Sequence, residues 1–263
     1  MSSLQTNLHQ FSSCLISSEQ EMSYVEYLIN YYHTRLNLTP KALDYVMRYC
    51  CTLRLETLEH FRIGFVDRTL VNILPKEQSG QTEIIRGVLQ RYGWLKPNGR
   101  ERFRGALVFP VFNASGQCVN AFAYRISPYM RKGCSRILQL NSTATFFNQK
   151  ILADCLNIIL CVSPFVALKL FNAGVSNVIA VCGAVSIESH STLLHQAGVI
   201  RVVIAINPEE DIQADEMGLL AESLSQLGIN CRLIYLPDTA GAVDIDIRYL
   251  CFLAQQCYRG ETC

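Results

Sequence analysis

The feature that most constrains this chain is an alternation between Asn157 and Leu236, where short apolar runs are separated by segments of helical period. Ile158-Ile159-Leu160-Cys161-Val162 stops at Ser163-Pro164, and Val202-Val203-Ile204-Ala205-Ile206 stops at Asn207-Pro208-Glu209-Glu210-Asp211. The spacing predicts strand 157–162, helix 164–173 stopped by Gly174, strand 177–181 and helix 187–197 stopped by Gly198. It then predicts strand 200–206, helix 212–227 stopped by Gly228, and strand 231–236 before Pro237-Asp238. Strands alternating with helices of this length imply an α/β domain, a parallel sheet with right-handed crossovers. Such sheets carry their chemistry at the carboxyl ends of the strands. One of those ends holds a valine, and the other an asparagine followed by a small acidic cluster.

The chain before this region reads differently. Val25, Leu28, Ile29 and Tyr32 recur at helical spacing over 23–32, and Thr39-Pro40 is a cap-and-proline start for a helix running to about Cys51. A helix over 55–61 leads into an extended link at Arg62-Ile63-Gly64-Phe65. A loop at 79–82 precedes a helix over 83–92 that stops at Gly93. Gly105 to Phe112 and Gln117 to Arg125 form a β-hairpin around Asn113-Ala114-Ser115-Gly116, with Pro110 implying an edge strand or a bulge. Residues 129–135 are a polar, basic connection, and 138–150 carry no period. The expected organisation is a loose leader at 1–22, an α+β portion at 23–153, and the α/β domain at 154–263 with a closing helix near 246–258.

Composition narrows the function. Of 263 residues 50% are hydrophobic and 17% charged, so the chain is globular, and a net charge of +1 excludes a whole-molecule basic field while allowing local basic patches. No apolar run approaches the roughly 20 residues of a membrane span, and the N-terminus lacks a signal-peptide pattern. A cytoplasmic location without membrane association is expected. None of the 12 cysteines forms a Cys-x-x-Cys pair, and no histidine stands at zinc-ligand spacing from one. Buried reduced thiols are therefore expected, with Cys257 and Cys263 the candidates for a surface thiol. His190 and His195, five apart on one helix, do not share a face. Trp94 reads as core of the N-terminal portion.

Four segments, in order, resemble the catalytic core of DnaG-type bacterial primases, in particular shorter primase-like Toprim proteins of plasmids and mobile elements. Leu55-Glu56-Thr57-Leu58-Glu59-His60-Phe61-Arg62-Ile63-Gly64-Phe65 resembles the family's Phe-x-Leu/Ile-Gly-Tyr segment. Arg102-Phe103-Arg104-Gly105-Ala106-Leu107-Val108-Phe109-Pro110-Val111 is similar to its Arg-Phe-Arg and Phe-Pro-Ile segment. Gly116 to Arg125 is similar to the hairpin return ending in Gly-Gly-Arg, and Cys161–Gly174 with Val202–Glu209 fall on the Toprim strand–helix unit and its acidic strand end.

The resemblance implies a Toprim-type parallel sheet flanked by helices, preceded by a smaller primase-core-like α+β domain. It also implies a site in which a glutamate after the first strand and an Asp-x-Asp pair after the third hold Mg²⁺ for nucleotidyl transfer. Here the glutamate position falls on Val162, the next acidic position on Val166, and the Asp-x-Asp pair on Asn207-Pro208-Glu209. Glu209, Asp211, Asp244 and Asp246 are the remaining candidate metal ligands, and Mg²⁺ is expected only if they still form a site. A degenerate primase-like protein is therefore expected, with an active Mg²⁺-dependent primase using a rearranged acidic site as one alternative and a protein-interaction module as the other. The basic positions survive better. Arg102, Arg104 and Arg125 match residue by residue, and Arg136 and Lys150 fall near template- and nucleotide-binding positions, with Arg131 and Lys132 extending the groove. Arginine forks suit phosphate, and Tyr124 and Tyr129 stand between the charges as candidate base-stacking residues. The expected partners are single-stranded DNA or RNA and a replication or mobile-element protein. The first 40 residues hold one cysteine, so no zinc ribbon is expected, and template recognition and recruitment are expected from another chain.

Overall fold

The computed structural model describes residues 17–49, 54–74, 80–130, 132–206 and 214–235. Helix α1 (Ser18–Asn37) begins at a capping box, in which Ser17 Oγ accepts from the Gln20 N–H and Gln20 Oε1 from the Ser17 N–H, each at 3.3 Å. Its buried stripe is Val25, Leu28, Ile29, Tyr32 and Leu36. Apolar period alone places the start at Ser23, because the first turn is polar and only the cap marks it.

Helix α2 (Pro40–Tyr49) starts at the expected proline, and the Thr39 carbonyl accepts from the Ala42 and Leu43 N–H groups. Then come α3 (Leu55–His60), β1 (Gly64–Phe65), α4 (Leu70–Ile73) and α5 (Gly80–Arg91). The last begins within the segment read from sequence as a loop.

Strands β2 (Ala106–Phe112) and β3 (Cys118–Arg125) form the hairpin, and β4 (Ile137–Gln139) adds to it where the sequence showed no period. The antiparallel order is β1-β2-β3-β4. β2 is therefore not an edge strand, contrary to one reading of Pro110. Yet β1 pairs only with Leu107 and Val108, so the proline nitrogen faces a side where β1 has already ended. A bulge follows between Val111 and Phe112.

The α/β half follows the sequence pattern. Its elements are β5 (Asn157–Cys161), α6 (Pro164–Asn172), β6 (Val178–Ala180), α7 (Ile187–Gln196), β7 (Arg201–Ile206), α8 (Ala214–Gln226) and β8 (Asn230–Tyr235). All pairings are parallel, in the order β6-β5-β7-β8. Gly174, Gly198 and Gly228, at φ +99°, +74° and +81°, end the three helices as their positions predict.

Side-chain alternation sorts the interior into layers. Ala106, Val108, Ala121 and Ala123 of the hairpin sheet pack on α1, Trp94 and Phe103. Leu107, Phe109, Val111 and Phe122, on its other face, share one cluster with α6 and with Ile159, Cys161, Val203 and Ala205 of the parallel sheet. The far face of that sheet, Ile158, Leu160, Ile179, Val202 and Ile204, packs with Leu194 of α7 and Met217, Leu220 and Leu224 of α8. The two sheets thus meet through a shared apolar layer, and Phe147, in the segment between β4 and β5, bridges antiparallel to Ala180 of β6. Among the described residues no helix is long and apolar enough to cross a membrane. The expected closing helix near 246–258 lies outside the described residues.

Candidate nucleic-acid interface

The carboxyl ends of β5 and β6 face the hairpin sheet. The Phe165 ring, at the start of α6, meets Phe109 at 5.3 Å and Tyr124 at 5.1 Å, both edge-on. Gly183 follows β6, and a Cβ there would lie 3.6 Å from both Gln139 and Phe122. Between the two sheets a cavity of about 210 Å³ is lined by Phe122, Gln139, Ser142, Thr145, Ser186 and His190, among others. His190 is buried, with its Nδ1 at 2.9 Å from the Ser186 carbonyl oxygen, and burial pushes its pKa down.

Val162 directly follows β5 and Val166 lies in the first turn of α6, at the positions where the resemblance implies acids. Both side chains are buried, at 5% and 7% exposure, Val162 against the far-face cluster and Val166 in the shared layer. Neither has an oxygen to offer, so these positions do not fit a divalent cation. Among the described residues no group of three or more His, Cys, Asp or Glu side chains gathers at one place. Asn207, Glu209, Asp211, Asp244 and Asp246 lie outside the described residues, as do Arg131, Cys257 and Cys263.

The arginines gather where β2 begins and β3 ends. Arg102 and Arg104 are exposed on the turn before β2. Arg125 pairs in register with Ala106, and the Ile126 N–H reaches the Gly105 carbonyl at 3.5 Å. Arg136 is tied to the same place. Its carbonyl accepts from the Arg125 N–H at 3.0 Å, its Nη1 donates to the Arg125 carbonyl at 3.2 Å, and its guanidinium lies 5.7 Å from the Tyr124 ring centre. Arg125 Nη1 donates to the Ser135 carbonyl at 3.1 Å. Among the described residues none of these four arginines is in an ion pair.

Lys150 lies elsewhere. Its charge, after burial, helps lower the pKa of His60, and His60 stacks on Phe171 at 4.9 Å in the last turn of α6. Phe165 is at the other end of that nine-residue helix, about 13 Å long. The two candidate tyrosines also part company. Tyr124 is half-buried against Phe165, Tyr45 and Arg136, whereas Tyr129 is 90% exposed.

Two residues of this region carry no sequence signal. Arg68 is exposed, and its guanidinium lies over Gly105, where a Cβ would come within 3.5 Å of Nη2. Glu101, the one acid in Arg100-Glu101-Arg102-Phe103-Arg104, is 2% exposed, and its Oε1 has no hydrogen-bond partner. Burial pushes its carboxyl up to about 7, opposed by hydrogen bonds from the Tyr32 hydroxyl and the Leu70 N–H and by the Arg104 charge, and assisted by Asp67. A charge run in sequence reads as solvated, and only packing reveals one member turned inward.

Of the six described cysteines, Cys118, Cys161 and Cys182 are buried, and all six are free thiols. Burial drives Cys118 up to about 12 and Cys231 to about 11, so both stay protonated near neutral pH. Trp94 is core, at 1% exposure.

Neither the protein-family models nor the curated protein sequences give a match to this chain. Solved structures do. The zinc-binding and RNA polymerase domains of Aquifex aeolicus primase match at a TM-score of 0.68 and 17% identity, over 93% of this chain and 61% of that one. This chain thus spans about three fifths of the length of that two-domain chain. A DnaG primase catalytic domain bound to single-stranded DNA matches at 0.66 and 17%, over 90% and 81%. The RNA polymerase domain of Mycobacterium tuberculosis primase DnaG matches at 0.71 and 14%, over 92% and 84%. At such identities the likeness speaks for the backbone, and the chain has the fold of the DnaG primase catalytic domain.

Proposed function

We propose that this chain is a primase-like protein that binds single-stranded nucleic acid on its arginine face and whose Toprim metal site is degenerate. The observation that carries the reading is the convergence of Arg102, Arg104, Arg125 and Arg136 at one end of the hairpin, with no carboxylate paired to them among the described residues. Guanidinium groups grip phosphate oxygens in pairs and set the register of a strand without reading its sequence. Tyr129, exposed four residues after Arg125, offers a face on which an unpaired base can stack. A structural neighbour, the DnaG catalytic domain bound to single-stranded DNA, supports this choice of ligand. Burial of Val162 and Val166 supports degeneracy, because nothing at the end of β5 can replace a carboxylate oxygen. The setting we assign is DNA replication or a mobile element, with another protein supplying recruitment.

Anisotropy titration with a labelled single-stranded oligonucleotide tests the binding. Affinity should fall steeply with salt, and Arg102→Ala/Arg125→Ala should weaken it about tenfold or more at low salt. A double variant that binds like the parent would sink the arginine face. Ribonucleotide incorporation on a single-stranded template with Mg²⁺ or Mn²⁺ tests degeneracy. We expect no product; robust synthesis lost in Glu209→Ala would instead establish an active primase with a rearranged site.

A further inference from the structure

Arg68 has φ +74°, a backbone conformation that residues other than Gly, Asn and Asp rarely adopt. Its neighbours hold it there. Asp67 Oδ1 accepts from the Thr69 N–H at 3.1 Å and from the Thr69 hydroxyl, while its Oδ2 pairs with Arg35 of α1. The Tyr31 hydroxyl, also on α1, meets the Thr69 hydroxyl. Residues 67 and 69 are thus pinned to α1, and residue 68 is turned outward.

The turn delivers the guanidinium to one place. Gly105, beneath Arg68 Nη2, donates its N–H to the Val66 carbonyl at 2.8 Å and follows Arg104 directly, and its own carbonyl is reached from Ile126, next to Arg125. Arg68 therefore stands among the arginines already described. Both nearby carboxylates are engaged elsewhere, Asp67 with Arg35 and Glu101 inside the core. Among the described residues Arg68 has no ion pair. An exposed cation on a strained backbone, with no ion pair among the described residues, is a position that a bound anion would stabilise.

We propose that Arg68 is a further phosphate contact of this face, meeting a phosphodiester of bound single-stranded nucleic acid. This rests on the reading given above. The test compares the parent with Arg68→Gly and Arg68→Lys by thermal unfolding and by oligonucleotide binding between about 50 and 200 mM salt. Glycine accepts the left-handed conformation freely, so Arg68→Gly should unfold at a temperature no lower than the parent. Its affinity should nevertheless fall about three- to tenfold, with a log–log salt slope shallower by about 0.7, while Arg68→Lys keeps the slope. Parent-like affinity and slope in Arg68→Gly would overturn the proposal, as would an affinity loss accompanied by a lowered unfolding temperature and an unchanged slope. If the parent itself fails to bind, it is the underlying nucleic-acid reading that falls.

Discussion

Glu101 shows what a single residue can hide. Written between Arg100 and Arg102 it belongs to a solvated charge run, yet it lies beneath that run with one oxygen unpartnered. Its folded pKa of about 7 lies above the ordinary 4.5, so the folded state binds the proton more tightly than the unfolded one. The stability linked to it is present below pH 4.5 and is lost as pH rises through 7. Allowing for solvent screening, the loss is about 2 kcal/mol. Thermal unfolding at pH 5, 6, 7 and 8 should show a smaller fall in midpoint for Glu101→Gln than for the parent, since glutamine carries no proton to lose. Parallel curves for the two proteins would return Glu101 to an ordinary carboxylate. Val162 is the converse case. Its identity and its place at a strand end are both legible in the sequence, but the direction of its side chain, into the far-face cluster, is not.

At the scale of elements, the best-read parts are those whose signal is local. The proline start of α2, the glycine stops of α6, α7 and α8, and the hairpin turn each follow from one or two residues and their allowed backbone conformations. β4 carries no sequence signal because three residues cannot show a period; β3 calls it into being by pairing Phe122, Ala123 and Tyr124 with it. Gly64 illustrates how one element constrains another. α1 packs so closely on β1 that a Cβ at Gly64 would sit 2.7 Å from Tyr32 Cβ and 2.8 Å from its carbonyl carbon. Backbone cannot give way as a side-chain tip can. Gly64→Ala should therefore destabilise the protein by about 2–3 kcal/mol in urea unfolding, and a loss below about 0.5 kcal/mol would show that α1 is free to shift.

For the whole molecule, the shared layer between the sheets decides how the two halves behave. Phe109, Phe147 and Phe165 come from three separate segments and touch ring to ring, at 5.8 Å between Phe109 and Phe147 and 5.3 Å between Phe109 and Phe165. Removing the central ring leaves a cavity that both sheets line. Phe109→Ala should cost about 3–5 kcal/mol, and the unfolding transition should remain single, because neither half can retain its face of the layer alone. Two separated transitions would show instead that the hairpin portion and the parallel sheet fold independently. The sequence by itself determined the α/β order, the helix ends and the residue types at two strand ends, a valine at one and an asparagine at the other, since apolar period, glycine, proline and side-chain identity act over a few residues. Tertiary structure alone decided that Lys150 stands apart from the four arginines, that Tyr124 is packed while the Tyr129 side chain is exposed, and that Arg68 lies over Gly105. Those outcomes depend on which distant segments share a surface, and contacts across dozens of residues leave no periodic trace in the chain.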